Sequence, residues 1–163
     1  MADKRWKAQD REVAAVGDGA SGVQNAKQVT DLIPGWSPNL VLYLGDVYEK
    51  GTATEFYNWY GTSSTFYGRF RAITNPTIGN HEYENNQAPG YFDYWDNVPN
   101  YYSFNAGGWH FISLNANSQV KQNVGSPQYE WLKQDLSAST ANCTIVYFHQ
   151  PVYSDGPEGD TPG

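Results

Sequence analysis

The chain has 163 residues, with 17 Asp and Glu against 10 Lys and Arg and a formal net charge of −7. This length fits one domain with a sizeable core, and the acidic charge excludes the basic surface that duplex nucleic-acid binding needs. No apolar run approaches the ~18 residues of a membrane span. The charged N-terminus lacks a signal-peptide pattern, so we expect a cytosolic chain or one whose signal has been removed. A single cysteine, Cys143, excludes an internal disulfide and a cysteine-based zinc cluster.

Apolar patterning near the N-terminus predicts a strand, a helix and a second strand. Residues 12–17 form an apolar run that is typical of a buried strand, and residues 23–33 show helical spacing before Pro34 and Gly35 end the pattern. Residues 40–44 form a second continuous apolar run. Because both strands are apolar throughout, we expect a right-handed βαβ unit in a covered, parallel sheet.

The rest of the chain predicts short helices alternating with strands. Ala106, Gly107 and Gly108 separate two runs in the manner of a β-hairpin. Ser126 followed by Pro127 is a typical start of a helix. The last apolar run predicts another buried strand. The predicted helices cover residues 55–70 (one or two helices), 91–95 and 127–137, and the predicted strands cover residues 72–78, 101–105, 109–114 and 144–148.

Polar side chains follow four of the predicted strands. They are Asp18, Asp46, Asn80 with its neighbour His81, and His149. Ligands of open α/β sheets bind beyond the carboxyl ends of the strands, so we expect these side chains to meet. Their mixed oxygen and nitrogen donors suit Mn, Fe and Zn. Two such ions ~4 Å apart would clamp both reacting oxygens of a phosphoryl transfer, and His81 beside them could protonate a leaving alkoxide.

These residues stand in motifs that resemble those of the calcineurin-like metallophosphoesterase superfamily. In order they are Gly17-Asp18, Gly45-Asp46-Val47-Tyr48-Glu49, Gly79-Asn80-His81-Glu82 and a strand ending in His149. The sequence between the motifs is most similar to the purple acid phosphatase-like branch. The resemblance implies an α/β fold in which a sandwich of two mixed β-sheets is flanked by helices in four layers. We expect residues 1–11 to be a frayed N-terminus and residues 12–163 to be the front portion of a single metallophosphoesterase-like domain.

The resemblance also implies a function. The chain would be a metal-dependent phosphoric ester hydrolase with a two-metal site, a metal-bound hydroxide as nucleophile and a phosphate ester as substrate. The two ions would be divalent or trivalent, with Fe, Mn or Zn expected. Asp18 would bind the first ion and Asp46 would bridge both. Asn80 and His149 would bind the second ion, and His81 would be the acid near the leaving group.

The sequence departs from the family pattern in three places. No histidine follows Asp18 closely, where the family has Asp-x-His. The purple branch places a tyrosine ligand three residues after the bridging aspartate, whereas Tyr48 lies two residues after Asp46 and Glu49 occupies the third position. Tyr48 and Glu49 are therefore alternative oxygen donors. The only histidines are 81, 110 and 149, so the late Gly-His-x-His is absent. We expect a domain incomplete on its C-terminal side, a crippled site, and an exposed sheet edge that promotes a homo-oligomer or binds a complementing chain.

Other readings of the same residues remain open. A non-catalytic half-domain with a vestigial metal site could bind a protein, another copy of itself or a polysaccharide through its aromatic loops. A glycosidase using Asp46 with Glu49 or Glu82 is disfavoured, because it leaves the histidines unexplained. His110 alternates with apolar neighbours, which favours a structural role, and Cys143 is expected to be a small buried side chain.

Overall fold

The computed structural model describes residues 12–152, which fold into two three-stranded sheets and several helices. The expected frayed start at residues 1–11 lies outside the described residues. The first sheet has the order β1-β2-β3 and is parallel, and the second has the order β4-β5-β6, with β4 antiparallel and β6 parallel to β5. The strands are β1 (Val13–Val16), β2 (Leu40–Tyr43), β3 (Thr74–Pro76), β4 (Tyr102–Ala106), β5 (Trp109–Ser113) and β6 (Cys143–Tyr147).

The helices are short except for two. The α-helices are α1 (Gln24–Trp36), α2 (Ala53–Glu55), α3 (Asn80–Tyr83), α4 (Pro89–Tyr94) and α5 (Pro127–Ala138); a π-helical turn, Phe56–Tyr60, continues α2, and a 3₁₀ helix covers Phe66–Ile73. The α/β architecture, with one of its sheets mixed, confirms the predicted fold class. No helix within residues 12–152 is long and apolar enough to cross a membrane.

Strand β2 lies at the centre of the fold, and all four of its residues are buried. Leu40 and Leu42 pack against Phe111 and Tyr147 of the second sheet. Tyr43, on the opposite face, belongs to an aromatic cluster that fills the space beneath the helices. Burial on both faces explains why this strand has a continuous apolar sequence rather than an alternating one. Part of the aromatic content of the chain lies in this core. The other members of the aromatic cluster include Phe56, Tyr60, Tyr67, Tyr91 and Trp95.

Helix α1 does not end at Pro34 and Gly35, so that prediction is wrong. The helix continues to Trp36, and Ser37 follows it in the left-handed region with φ of 49°. Proline has no N–H, so the carbonyl of Thr30 lacks its usual helical donor four residues on. Arg69 supplies the missing hydrogen bond, since its Nη2 donates to the Thr30 carbonyl over 2.8 Å. A contact from a distant segment thus permits the proline in the last turn.

The hairpin and the capped helix form as predicted. Gly107 and Gly108 have φ of 59° and 83°, which matches the two-residue turn that connects antiparallel strands with the correct twist. The Ser126 hydroxyl accepts the backbone N–H of Tyr129 at the start of α5. The third strand is shorter than predicted, since β3 has three residues where the sequence predicts a strand over residues 72–78.

Strand β6 is not buried, which corrects the prediction made from its apolar run. Among residues 12–152 it pairs only with β5, and Cys143, Thr144 and Val146 are exposed. Cys143 is therefore not the small buried side chain that we expected. An apolar run does not distinguish a central strand from an edge strand, because both favour the same residues. Strands β1 and β6 are edge strands of the first and the second sheet, respectively. Self-association through these edges stays a prediction.

Candidate metal centre

Two aspartates follow β1 and β2 in a backbone conformation that side chains seldom adopt. Asp18 and Asp46 have φ of 57° and 66°, in the left-handed region that Asp tolerates better than most residues. The ends of the two strands are tied together, because the Asp18 N–H donates to the Gly45 carbonyl over 3.0 Å. Each such conformation costs on the order of 1 kcal/mol, and strain of this kind is concentrated at functional sites.

A glycine allows the loop after β3 to approach the loop after β2. A Cβ atom on Gly79 would lie 2.0 Å from Asp46 Oδ1 and 2.7 Å from the Asp46 backbone nitrogen. No side chain fits there, so Gly79 is required for the contact. The approach brings the first turn of α3, which begins at Asn80, against Asp46.

Asp46 is the centre of the site and is almost completely buried. Its Oδ2 lies 3.3 Å from His149 Nε2 and 3.8 Å from His81 Nε2. Its Oδ1 accepts the backbone N–H of His81 over 3.1 Å. Burial alone would raise the pKa of this carboxyl, but the hydrogen bond and charge of His149, together with His81, lower the pKa below its usual value. Asp46 is therefore ionised.

His149 is oriented by the backbone of the first sheet. Its Nδ1–H donates to the Leu44 carbonyl over 2.7 Å, which directs Nε2 towards Asp46 and towards Asn80 Oδ1 at 3.1 Å. A metal-binding histidine usually donates one ring N–H to a carbonyl or carboxylate, which leaves the other nitrogen free to face the ion. Burial opposes the charged ring, but the bond to Asp46 prevails and raises the pKa of His149 to about 9.

Asp18 joins Asp46 and His149 in one cluster and contacts Tyr48. Ligand atoms of Asp18, Asp46 and His149 all lie within 4.8 Å of one another. The Tyr48 hydroxyl donates to Asp18 Oδ1 over 2.8 Å, so Tyr48 reaches the cluster although its spacing is one residue short. Burial and Asp18 raise the pKa of Tyr48 above its ordinary value. The side chain of Glu49 is exposed and is not one of the clustered groups found among the described residues.

His81 lies at the margin of this cluster, partly open to solvent. Its Nδ1–H donates to the Glu49 carbonyl over 2.5 Å, which leaves Nε2 facing Asp46. The ring also contacts that of Tyr48, with 4.5 Å between centroids. Partial burial would lower the pKa of His81, but the Glu49 carbonyl and the charge of Asp46 raise it above its ordinary value. The histidine thus combines accessibility with a tendency to hold a proton.

Glu82 holds together the backbone of the loops that carry Asp46 and Gly79. Its carboxylate is fully buried and accepts three backbone N–H groups, from Asp46, Val47 and Gly79, over 3.2, 2.8 and 2.9 Å. Burial, followed by the charge of Asp46, raises the pKa of Glu82 to about 7. Glu84 is half exposed and lies 3.7 Å from His81 Nδ1.

Comparison with known proteins agrees with these motifs. The family model of the calcineurin-like phosphoesterases matches residues 13–162. The chain belongs to the calcineurin-like phosphoesterase family. Purple acid phosphatase 15 of Arabidopsis thaliana is 28% identical over an alignment 179 residues long, which takes in 87% of this chain and 33% of that protein. Purple acid phosphatase 23 of the same plant is 44% identical over 57 residues, 33% of this chain and 12% of that protein.

The similarity supports the assignment of this calcineurin-like phosphoesterase to the purple acid phosphatase-like branch, as the sequence motifs predicted. The chain spans about a third of the length of Purple acid phosphatase 15. Membership in the family implies divalent or trivalent metal ions at the site.

Proposed function

We propose that this chain carries the metal-binding part of a phosphatase that hydrolyses phosphate esters. One observation carries the proposal. The carboxylate of buried Asp46 lies within 4.8 Å of donor atoms of both Asp18 and His149, which in turn contact Tyr48 and Asn80. A carboxylate in that position can be shared by two ions.

The donor set fits the ions that the family implies. Asp18, Asp46 and Asn80 offer oxygen and His149 offers an imidazole nitrogen, a combination that suits Fe, Mn and Zn better than soft metals. When bound, these ions would supply Lewis acidity towards the phosphate and a hydroxide nucleophile near neutral pH. We assign Asp18 to the first ion, Asn80 and His149 to the second, and Asp46 to both. The hydroxyl of Tyr48 orients Asp18 or joins it as a ligand.

His81 has the properties of the acid that protonates the leaving group. Its bond to the Glu49 carbonyl fixes the ring, and Nε2, which carries a proton in the charged form of the ring, faces the site. A positioned acid of this kind contributes typically about 10²–10⁴-fold to a rate. His81→Ala should therefore retain the metal but lower kcat by about that factor. Loss of metal in this variant would make His81 a ligand instead.

The test begins with the metal-stripped chain and p-nitrophenyl phosphate as substrate. Hydrolysis should return when Mn, Zn or Fe is added, and Asp46→Asn should abolish both tight metal binding and turnover. Asp93→Asn is the matched control, since Asp93 is exposed on α4 and the substitution makes the same change of charge. Unchanged metal content in Asp46→Asn would contradict the site assignment.

Metal analysis of the reconstituted protein distinguishes the finer alternatives. Two ions per chain would support a bridging Asp46, and one ion would overturn it. If the chain binds metal but shows no turnover with Mn, with Zn or with Fe, the result would favour the non-catalytic half-domain. It would overturn the hydrolase proposal for this chain.

A further inference from the structure

A buried amide in the second sheet contacts both loops that bring Asn80 and His149 together. Asn117 follows β5, is 3% exposed and belongs to no motif of the metal centre. Its Nδ2 donates to the carbonyl of Ile78 over 3.2 Å, and its Oδ1 accepts from Nε2 of Gln150 over 2.7 Å. Ile78 lies two residues before Asn80, and Gln150 follows His149 directly.

The two loops come from different sheets. The segment with Ile78 follows β3 of the first sheet, whereas Gln150 follows β6 of the second. At the metal centre, the same two segments meet where His149 Nε2 lies 3.1 Å from Asn80 Oδ1. The Asn117 amide therefore binds both segments, the first through Nδ2 and Ile78 and the second through Oδ1 and Gln150.

Asn117 is itself held rigidly. Its second Nδ2 proton and its backbone N–H are both donated to Oδ1 of Asn115, each over 3.0 Å. Asn115 is fully buried, and Gln128 at the start of α5 forms hydrogen bonds with both its N–H and its carbonyl, over 2.9 and 3.0 Å. Asn115 also donates to the Tyr83 hydroxyl of α3 over 2.8 Å. The side-chain polar atoms of Asn115, Asn117 and Gln128 are all hydrogen-bonded, as a positioning device requires, whereas Oε1 of Gln150 has no partner among the described residues.

We propose that Asn117 is a positioning residue that sets the separation of Asn80 and His149 and thereby the metal affinity of the site. The inference rests on the proposed function, because it assigns ligand roles to these two residues. Residues that orient metal ligands typically change affinity by about 10–100-fold when they are substituted. Asn117 does not touch the donor atoms and acts only through the loops that it joins.

The test compares Asn117→Asp with Tyr102→Phe. The first keeps the shape and an acceptor for Gln150, but replaces a donor to Ile78 with a carboxylate oxygen. The second is a matched control, because the Tyr102 hydroxyl also joins the two sheets through a 2.6 Å bond to the Pro76 carbonyl. It also accepts from the Tyr147 hydroxyl over 3.3 Å, and both partners are strand residues rather than residues of the two loops. Zn²⁺ and Mn²⁺ affinities are measured by competition with a chelator, and Tm is measured on the metal-free chains.

We expect Asn117→Asp to lower metal affinity about 10–100-fold and Tyr102→Phe to lower Tm while leaving the affinity within about twofold. Equal losses of affinity in both variants, or no loss in Asn117→Asp, would overturn the proposal. If Asn117→Asp does not fold, Gln150→Met removes one of the two loop contacts and should lower the affinity in the same direction; unchanged affinity in that variant counts against the proposal.

A second measurement separates this inference from the proposed function. The ring resonances of His149 in the metal-free protein should shift in Asn117→Asp and stay in place in Tyr102→Phe. If the wild-type chain binds metal without turnover, the hydrolase proposal fails and the affinity comparison still decides the role of Asn117. If the wild-type chain binds no metal, the metal centre fails and the His149 resonances still show whether Asn117 sets the ring position; unmoved resonances would overturn it.

Discussion

The proline in helix α1 gives a sharp prediction about stability. Arg69→Met removes the guanidinium that donates to the carbonyl of Thr30, which Pro34 leaves without a helical donor. A hydrogen bond from a charged donor is worth about 1.5–3 kcal/mol, but Arg69 is partly exposed, so we expect this bond to contribute about 1 kcal/mol. The accompanying pair with half-exposed Asp31 is screened by solvent, and a further bond from Arg69 Nε to the Phe66 carbonyl is lost as well.

The effect should depend on residue 34. In Pro34→Ala the new N–H can donate to the Thr30 carbonyl, so Arg69→Met then leaves no orphaned acceptor. The double-mutant cycle should give a coupling energy of about 1 kcal/mol between Arg69 and Pro34. Effects of Pro34→Ala on the unfolded chain cancel in the cycle. Urea unfolding followed by tryptophan fluorescence measures each free energy of unfolding.

Arg71 provides the control for this cycle. It also donates to a backbone carbonyl, that of Tyr94, over 2.6 and 3.1 Å, and it pairs with the exposed carboxylate of Asp96. These contacts do not involve helix α1. The effects of Arg71→Met and Pro34→Ala on the free energy of unfolding should therefore add within about 0.3–0.5 kcal/mol. If Arg69 shows no more coupling to Pro34 than Arg71 does, the explanation for the continued helix is refuted.

Two further predictions concern the metal centre. Tyr48→Phe removes the hydroxyl bound to Asp18 and should lower Mn²⁺ affinity about tenfold; an unchanged titration would show that Tyr48 does not orient Asp18. Gly79→Ala places a Cβ against Asp46 and should abolish metal binding, which equilibrium dialysis measures. Gly35→Ala, where a Cβ meets no atom within 4 Å, should bind metal as the wild type does, and metal retention in Gly79→Ala would contradict the close packing of the two loops.

The elements that the sequence predicted well depend on local signals. Continuous apolar residues in β2, the glycine pair between β4 and β5, and the serine and proline before α5 act within a few residues. The convergence of Asp18 and Asp46 was predictable as well, because the carboxyl ends of parallel strands meet at one edge of a sheet.

The features that the sequence did not predict depend on distant partners. The length of α1 depends on Arg69, and the exposure of β6 depends on its place at the edge of a sheet. Nothing in the local pattern shows that Asn117 bonds to two separate loops, since asparagine in a polar loop is common and its partners are 39 and 33 residues away. The reach of Tyr48 to Asp18 likewise depends on the path of the loop rather than on the count of residues.

The clustered donors have a consequence for folding. Asp18 and Asp46 follow strands β1 and β2 of the first sheet, whereas His149 follows β6 of the second. An ion held by all three would fasten one sheet to the other, as a disulfide does in other small domains, in a chain whose single cysteine offers no such bond. Free metal at 100 times its dissociation constant adds about 2.7 kcal/mol to the stability of a protein that binds it only when folded. Chelation should therefore loosen the sandwich as a whole, and a cell that limits the metal would limit the lifetime of the fold.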